Sequence, residues 1–255
     1  MDNLPTPSPG DVIAVGDIHA RYDLLERLLD HVRGTQAVII FLGDIIDRGG
    51  QDIQVVETIR KLTEDPESEG LSNVFCLMGN HEDMLIDAMT GPMAQTLLWL
   101  HNGGNFDQYD VLSEHLEWFE QLPIYMTIDE TLFIHGGLVP GHDPLELIEK
   151  GQASKLLWMR SPFLETGPRF EEWNPNLKQV IFGHTPKFDV GEGLPYTIPD
   201  GICIDSGAYF TNVLTAYNVT TGTFYSYTTN DESTAAVRHK RTVPSLTGST
   251  DSCDG

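Results

Sequence analysis

Gly43-Asp44-Ile45-Ile46-Asp47-Arg48-Gly49 follows directly on the apolar run Ala37 to Leu42. A run so short and so uniformly apolar reads as a strand of a parallel sheet, buried on both faces. Because it ends in Gly-Asp, it delivers a carboxylate to the carboxyl edge of the sheet, where open α/β folds keep their ligand crevice. Taken alone, Asp44, Asp47 and Arg48 describe a solvated turn as well as a site. The same construction recurs, however, in Gly16-Asp17-Ile18-His19, Gly79-Asn80-His81-Glu82, His135-Gly136-Gly137 and Gly183-His184-Thr185. Glycine-flanked polar clusters that each close a strand point to one convergent site rather than to a set of interior histidines.

The chain around these clusters reads as alternating strands and helices. Asp11 to Gly16 is a strand, and the helix after it is expected to start at a cap on Asp23 with Glu26 three residues on. Leu24, Leu25, Leu28, Leu29 and Val32 fall on one face of that helix, and Gly34 ends it. A second helix spans roughly Ile53 to Leu62, and Val74 to Met78 is a third strand, so the first part is a layered α/β domain. Glu82 to Leu122 is irregularly helical, and Leu97, Leu98 and Leu100 with Trp99 read as a packing stripe. A hairpin follows at Ile124–Ile128 and Thr131–Ile134, then two short helices within Leu145–Arg160 and a strand at Gln179–Phe182. Strands near Ile202–Asp205, Asn212–Asn218 and Thr223–Thr228 are expected to finish a second, more antiparallel sheet.

Composition narrows the partners. There are 38 acidic and 15 basic residues among 255, a net charge of −23 with histidine neutral. Such a surface repels nucleic acid and anionic lipid at long range, which argues against both as partners. An anionic substrate then needs a strong local cationic site. High solubility explains the acidity simply; adaptation to salt, which screens self-repulsion, is the sharper alternative. The cysteines, Cys76, Cys203 and Cys253, lack paired spacing and suggest a reducing setting. Met1 to Gly10 is polar and proline-rich, unlike a signal peptide, and no run approaches the ~18 apolar residues of a membrane span. A cytoplasmic location is the expectation.

Collected, the strand-end side chains are Asp17, His19, Asp44, Asn80, His135 and His184. An oxygen and imidazole set without thiolate suits Mn, Fe or Zn. It exceeds what one tetrahedral ion needs and suits two ions about 3.5–4 Å apart, a pair that can clamp the attacking and leaving oxygens of an in-line displacement. One carboxylate must then be shared, and Asp44, on the most buried strand, is the natural choice.

In that order the five clusters resemble the signature of the phosphoprotein phosphatase branch of the calcineurin-like metallophosphoesterases. Trp99-Leu-His-Asn-Gly-Gly104 and Leu156-Leu-Trp-Met-Arg160 are similar to segments of its bacterial members. The resemblance covers about residues 11–228 and implies an α/β fold: a four-layer sandwich of two mixed β-sheets flanked by helices, with a dimetal site at the strand ends. Residues 83–122 would form a helical insertion flanking the site, between a flexible terminus (1–10) and a mobile tail (229–255).

Carried over position by position, the resemblance implies two divalent metal ions, Mn first and Fe or Zn as alternatives. Asp17, His19 and Asp44 would hold one, and Asp44, Asn80, His135 and His184 the other. His81 would be the general acid, oriented by Asp47, while Arg48 and Arg160 would bind phosphate oxygens. A metal-bridging hydroxide would attack in line. The implied activity is that of a serine/threonine protein phosphatase acting on a phosphoprotein or phosphopeptide. A symmetrical diadenosine-tetraphosphate hydrolase, acting on a dinucleoside polyphosphate, is the alternative, and an inactive metal-binding scaffold a weaker one. Glu82 is expected to support the turns rather than react. The chain departs from the pattern at Ala20, where glycine is usual, and over Tyr209 to Asn212.

Overall fold

The computed structural model describes residues 5–186, 188–189 and 194–229. The expected mobile tail, Thr229 apart, lies outside them. Two sheets pack face to face, and helices cover their outer faces.

The first sheet begins with β1 (Val12–Val15), β2 (Val38–Phe41) and β3 (Asn73–Cys76), all parallel. Crossover helices α1 (Tyr22–Val32) and α2 (Asp52–Glu64) join them. In β2 the side chains alternate: Ile39 and Phe41 pack on the helical side, and Ile40 faces the second sheet. Being covered on both faces explains the unbroken apolar run.

After β3 the chain makes four helices, α3 (Asn80–Thr90), α4 (Met93–His101), α5 (Tyr109–Ser113) and α6 (Leu116–Glu120). The second sheet then starts with the hairpin β4 (Tyr125–Ile128) and β5 (Thr131–Ile134). Three short helices follow, α7 (Pro144–Glu149), α8 (Ser154–Leu157) and α9 (Phe163–Thr166). The remaining strands of this sheet are β6 (Gln179–Phe182), β7 (Phe188–Asp189), β8 (Leu194–Ile198) and β9 (Gly201–Cys203). Its order is β4-β5-β6-β9-β8-β7, with β5, β6 and β9 mutually parallel.

The turn of helix α10 (Ala208–Thr211) then returns the chain to the first sheet as β10 (Val213–Asn218) and β11 (Thr223–Thr228). The order there is β11-β10-β1-β2-β3, β10 lying antiparallel to β1. The last two strands therefore complete the first sheet, not the second as their sequence position suggested. Ala14, Ile40, Leu42, Phe133, Ile181, Tyr217 and Phe224 fill the space between the sheets. Tyr217 and Phe224 come from this returning hairpin and fix it against the second sheet.

Two local expectations are corrected. Helix α1 starts at Tyr22, and Asp23 does not cap it but forms a two-point ion pair with Arg21 at 2.8 and 2.7 Å. Of the presumed packing stripe on α4, Trp99 is fully buried and Leu100 packs partly against the core, whereas Leu97 and Leu98 are exposed. Among the described residues no helix is long and apolar enough to cross a membrane.

Candidate metal centre

All six parallel strands, three from each sheet, end on the same side of the sandwich. Asp17 follows β1, Asp44 follows β2, Asn80 follows β3, His135 follows β5, His184 follows β6 and Asp205 follows β9. Every one of these residues is buried. Glycine lets the ends approach one another: a Cβ on Gly43 would lie 2.5 Å from the Gly79 nitrogen. The backbone itself is tightly folded there. His19, Ala20, Asp44, Asp47, Arg48 and His184 all have positive φ, between 47° and 69°. Ala20 thus holds a left-handed turn that glycine would adopt without steric cost. Strained non-glycine residues gather where surrounding structure over-determines them, typically at functional sites.

Asp44 stands at the middle. Its Oδ2 lies 3.6 Å from His19 Nε2, and its Oδ1 lies 3.3 Å from His135 Nε2. Two groups of potential ligand atoms share this carboxylate, each with all members within 4.8 Å: His19, Asp44 and His81, and Asp44, His135 and His184. Asn80 belongs with the second, its Oδ1 being 2.9 Å from His135 Nε2 and 2.7 Å from His184 Nδ1. Asp17 sits beside them, both its oxygens accepting from the His184 backbone N–H at 3.1 Å.

The donor set fits metal ions. His19 Nδ1 is 3.0 Å from the Ile46 carbonyl, and His135 Nδ1 is 3.0 Å from the Leu42 carbonyl. A carbonyl only accepts, so Nδ1 carries a proton in both rings and Nε2 points into the site, free to bind a metal once any proton on it is displaced. Burial lowers His19 to about 3, and burial with the nearby charge of His135 lowers His184 to about 2, so both rings stay neutral. The carboxylates show a surplus of negative charge. Burial and the proximity of Asp205 raise Asp17 well above the usual range, and burial raises Asp205 to about 6. Burial would raise Asp44 too, yet His135, His81 and His19 hold it well below. Asp44 in turn lifts His135 to about 9 against the effect of burial. Cations would neutralise such a cluster.

Around the centre lie the other residues singled out in the sequence. His81 Nδ1 is 2.6 Å from Asp47 Oδ2. Burial works against a charge on His81, but Asp44 and Asp47 raise its pKa above the usual 6.5. Glu82 accepts three backbone hydrogen bonds, from Asp44 at 2.8 Å, Gly79 at 2.9 Å and Ile45 at 2.9 Å, as a supporting residue should. Arg48 is exposed; its Nη1 donates to His19 Nε2 at 2.7 Å, and its guanidinium lies 4.9 Å from the centre of the Tyr209 ring. Arg160 is also exposed and near enough for its charge to oppose protonation of His184. Trp158, Tyr209 and Phe210 are partly exposed, the first two edge-on to His184 and His19. Read from the sequence as a packing residue, Trp99 also makes a polar contact here: its indole Nε1–H donates to both Asp47 oxygens at 3.0 Å.

Sheet order, converging strand ends and a shared carboxylate define a layered α/β scaffold with a paired set of potential metal ligands. The chain belongs to the calcineurin-like phosphoesterase family, whose profile matches residues 10–197. It is 33% identical over 140 residues to a serine/threonine-protein phosphatase, PP2A-like PPG1, of Candida albicans. That match covers 54% of this chain and 31% of the Candida protein, so the chain spans about a third of that relative's length. A bis(5'-nucleosyl)-tetraphosphatase, PrpE [asymmetrical], of Oceanobacillus iheyensis is 24% identical over 231 residues, covering 80% of this chain and 86% of its own. Among solved structures, the cold-active protein-tyrosine phosphatase of a psychrophilic Shewanella superposes with a TM-score of 0.60 at 20% identity. It covers 92% of this chain and 82% of its own, a likeness of fold.

Proposed function

We propose that the chain is a dimetal-dependent phosphoester hydrolase that removes phosphate from phosphoserine or phosphothreonine in proteins. The observation that carries the hydrolase reading is the Asp44 carboxylate, placed with one oxygen toward His19 and the other toward His135. In this reading Asp17, His19 and Asp44 hold one ion, and Asp44, Asn80, His135 and His184 the other. Two divalent ions bound there, Mn²⁺ in the first instance, would supply positive charge to phosphoryl oxygens and lower the pKa of water toward ~7.

The protein's own groups do the rest. Arg48 and Arg160 receive non-bridging phosphate oxygens, for which a planar guanidinium offers paired donors. His81 protonates the leaving oxygen from Nε2, its Nδ1 being tied to Asp47. Asp47 fixes the ring's orientation and tautomer and stabilises its charged form. The aligned phosphatase relative and the acidic surface, which favours basic phosphopeptides over polyanions, support a protein substrate.

A second reading, hydrolysis of a dinucleoside polyphosphate, is favoured by the length over which the Oceanobacillus tetraphosphatase aligns and by Tyr209 and Phe210, partly exposed near Arg48. That relative's name carries the word asymmetrical, whereas the resemblance in sequence implies symmetrical cleavage as the alternative. One assay separates the readings: phosphopeptides against diadenosine tetraphosphate, at matched enzyme and Mn²⁺. Faster turnover of the peptides is expected, with all activity lost on chelation and restored by Mn²⁺. Preference for the dinucleotide moves the assignment to the second reading, and full turnover after exhaustive metal removal rejects both.

A further inference from the structure

Trp99 belongs to none of the strand-end clusters, yet it reaches the centre of the site. Its ring is fully buried, and its single N–H is divided between the two oxygens of Asp47. An indole nitrogen donates and cannot accept, so the direction of this bond is fixed. Asp47 Oδ2 simultaneously faces His81 Nδ1 at 2.6 Å, and the Asp47 backbone N–H donates to Asp52 Oδ1 at 2.6 Å. The carboxylate is held between the indole and the imidazole, with its backbone pinned from a third side.

The chain is folded around that indole. Gly104 lies so close to the ring that a side chain there would collide with it, and its N–H donates to the Trp99 carbonyl at 3.0 Å. The same turn holds the neighbour of Asp47: the Arg48 backbone N–H donates to Gly103 O at 3.1 Å, and Arg48 Nε to Asn102 O at 3.4 Å. Residues 99–104 therefore grip both members of the Asp47–Arg48 turn.

We propose that Trp99 is a positioning residue for proton transfer, fixing the Asp47 carboxylate so that the His81 ring is aimed at the leaving oxygen. This rests on the role of His81 given under the proposed function. In the step concerned, the bond from phosphorus to the leaving oxygen breaks and that oxygen takes the proton of His81 Nε2. Water adds its oxygen to phosphorus, and the proton it sheds restores the acid. Trp99 acts on the first transfer and not on phosphate binding.

The test uses Trp99→Phe, which keeps an aromatic ring and removes the N–H, in the Mn²⁺-loaded enzyme. Turnover is followed on aryl phosphates from 2,4-dinitrophenyl, which leaves as an anion without a proton, to phenyl, which needs one. The expected result is a loss of about tenfold or more in kcat on phenyl phosphate, about twofold or less on the dinitrophenyl ester, and an unchanged KM. In an Asp47→Asn background the same substitution should add no further loss. Should the phenylalanine variant fold poorly, 3-benzothienylalanine at position 99, which replaces the N–H by sulfur in a ring of the same shape, is expected to show the same dependence on leaving group. A loss equal on all esters, no loss, or additivity with Asp47→Asn overturns the role of Trp99 while leaving the hydrolase reading intact. A wild-type enzyme inactive on the whole series overturns that reading and the role of Trp99 with it.

Discussion

Glu82 neither faces the cluster of potential ligands as a donor nor reaches solvent, yet it holds the loop after β2 to the loop after β3. Its Oε2 takes N–H groups from Asp44 and Gly79, and its Oε1 takes that of Ile45. Glu82→Gln would turn an NH₂ group toward at least one of these buried donors. An unmatched buried group costs about 1–3 kcal/mol, so a loss of that order is expected in urea unfolding, with weakened Mn²⁺ affinity because Asp44 loses its anchor. An unaltered midpoint would show that the loops are held by other means. The supporting role of Glu82 could be read from its place after Gly-Asn-His. Trp99 could not be read in the same way. An indole within an apolar stripe looks like packing, and its partner Asp47 is 52 positions away. The left-handed turn at Ala20 was signalled only by the glycine usual at that position, since alanine itself carries no mark of positive φ.

Helix α1 lies over the returning hairpin, and His31 near its end meets that hairpin directly. His31 Nδ1 is 2.8 Å from the Tyr227 hydroxyl, its Nε2 is 3.3 Å from the Pro5 carbonyl, and its ring packs edge-on to Tyr225. Burial lowers its pKa below the usual 6.5. The unfolded chain therefore binds a proton that the folded one resists. The stabilisation is complete above about pH 6.5 and is lost as pH falls from there toward the lowered folded value. Melting temperature should decline over this range, and His31→Gln should decline less steeply; parallel profiles would assign the acid sensitivity to other groups. Strands and their ends were legible because each is short, apolar and closed by glycine. The membership of β10 and β11 was not. An alternating strand records which face is buried, but nothing in it records which of two sheets it joins. The start of α1 was missed for a related reason: Asp23 offers a capping carboxylate, and the ion pair with Arg21 takes it instead.

Six strand ends from two sheets must meet for the centre to exist, so the site depends on the two sheets being packed together. Three ends come from residues before 81 and three from residues after 134, and the core between the sheets joins both sets. Within that arrangement β1 is flanked by β2 on one side and β10 on the other. A chain stopped before Val213 would leave one flank of β1 without its ladder. It is expected to collect in the insoluble fraction even though every candidate metal ligand is present. Recovery of a soluble, Mn²⁺-binding fragment would show that the hairpin is dispensable.

The same pairing sets a schedule for the nascent polypeptide. Val12 donates its backbone N–H to Thr220 Oγ1, 208 positions downstream. This strand thus waits until a segment 208 positions further on has been synthesised before its second neighbour exists. During that wait an apolar strand edge is open to other molecules, the period in which chaperones, or a slower or cooler synthesis, would most affect how much active protein is recovered.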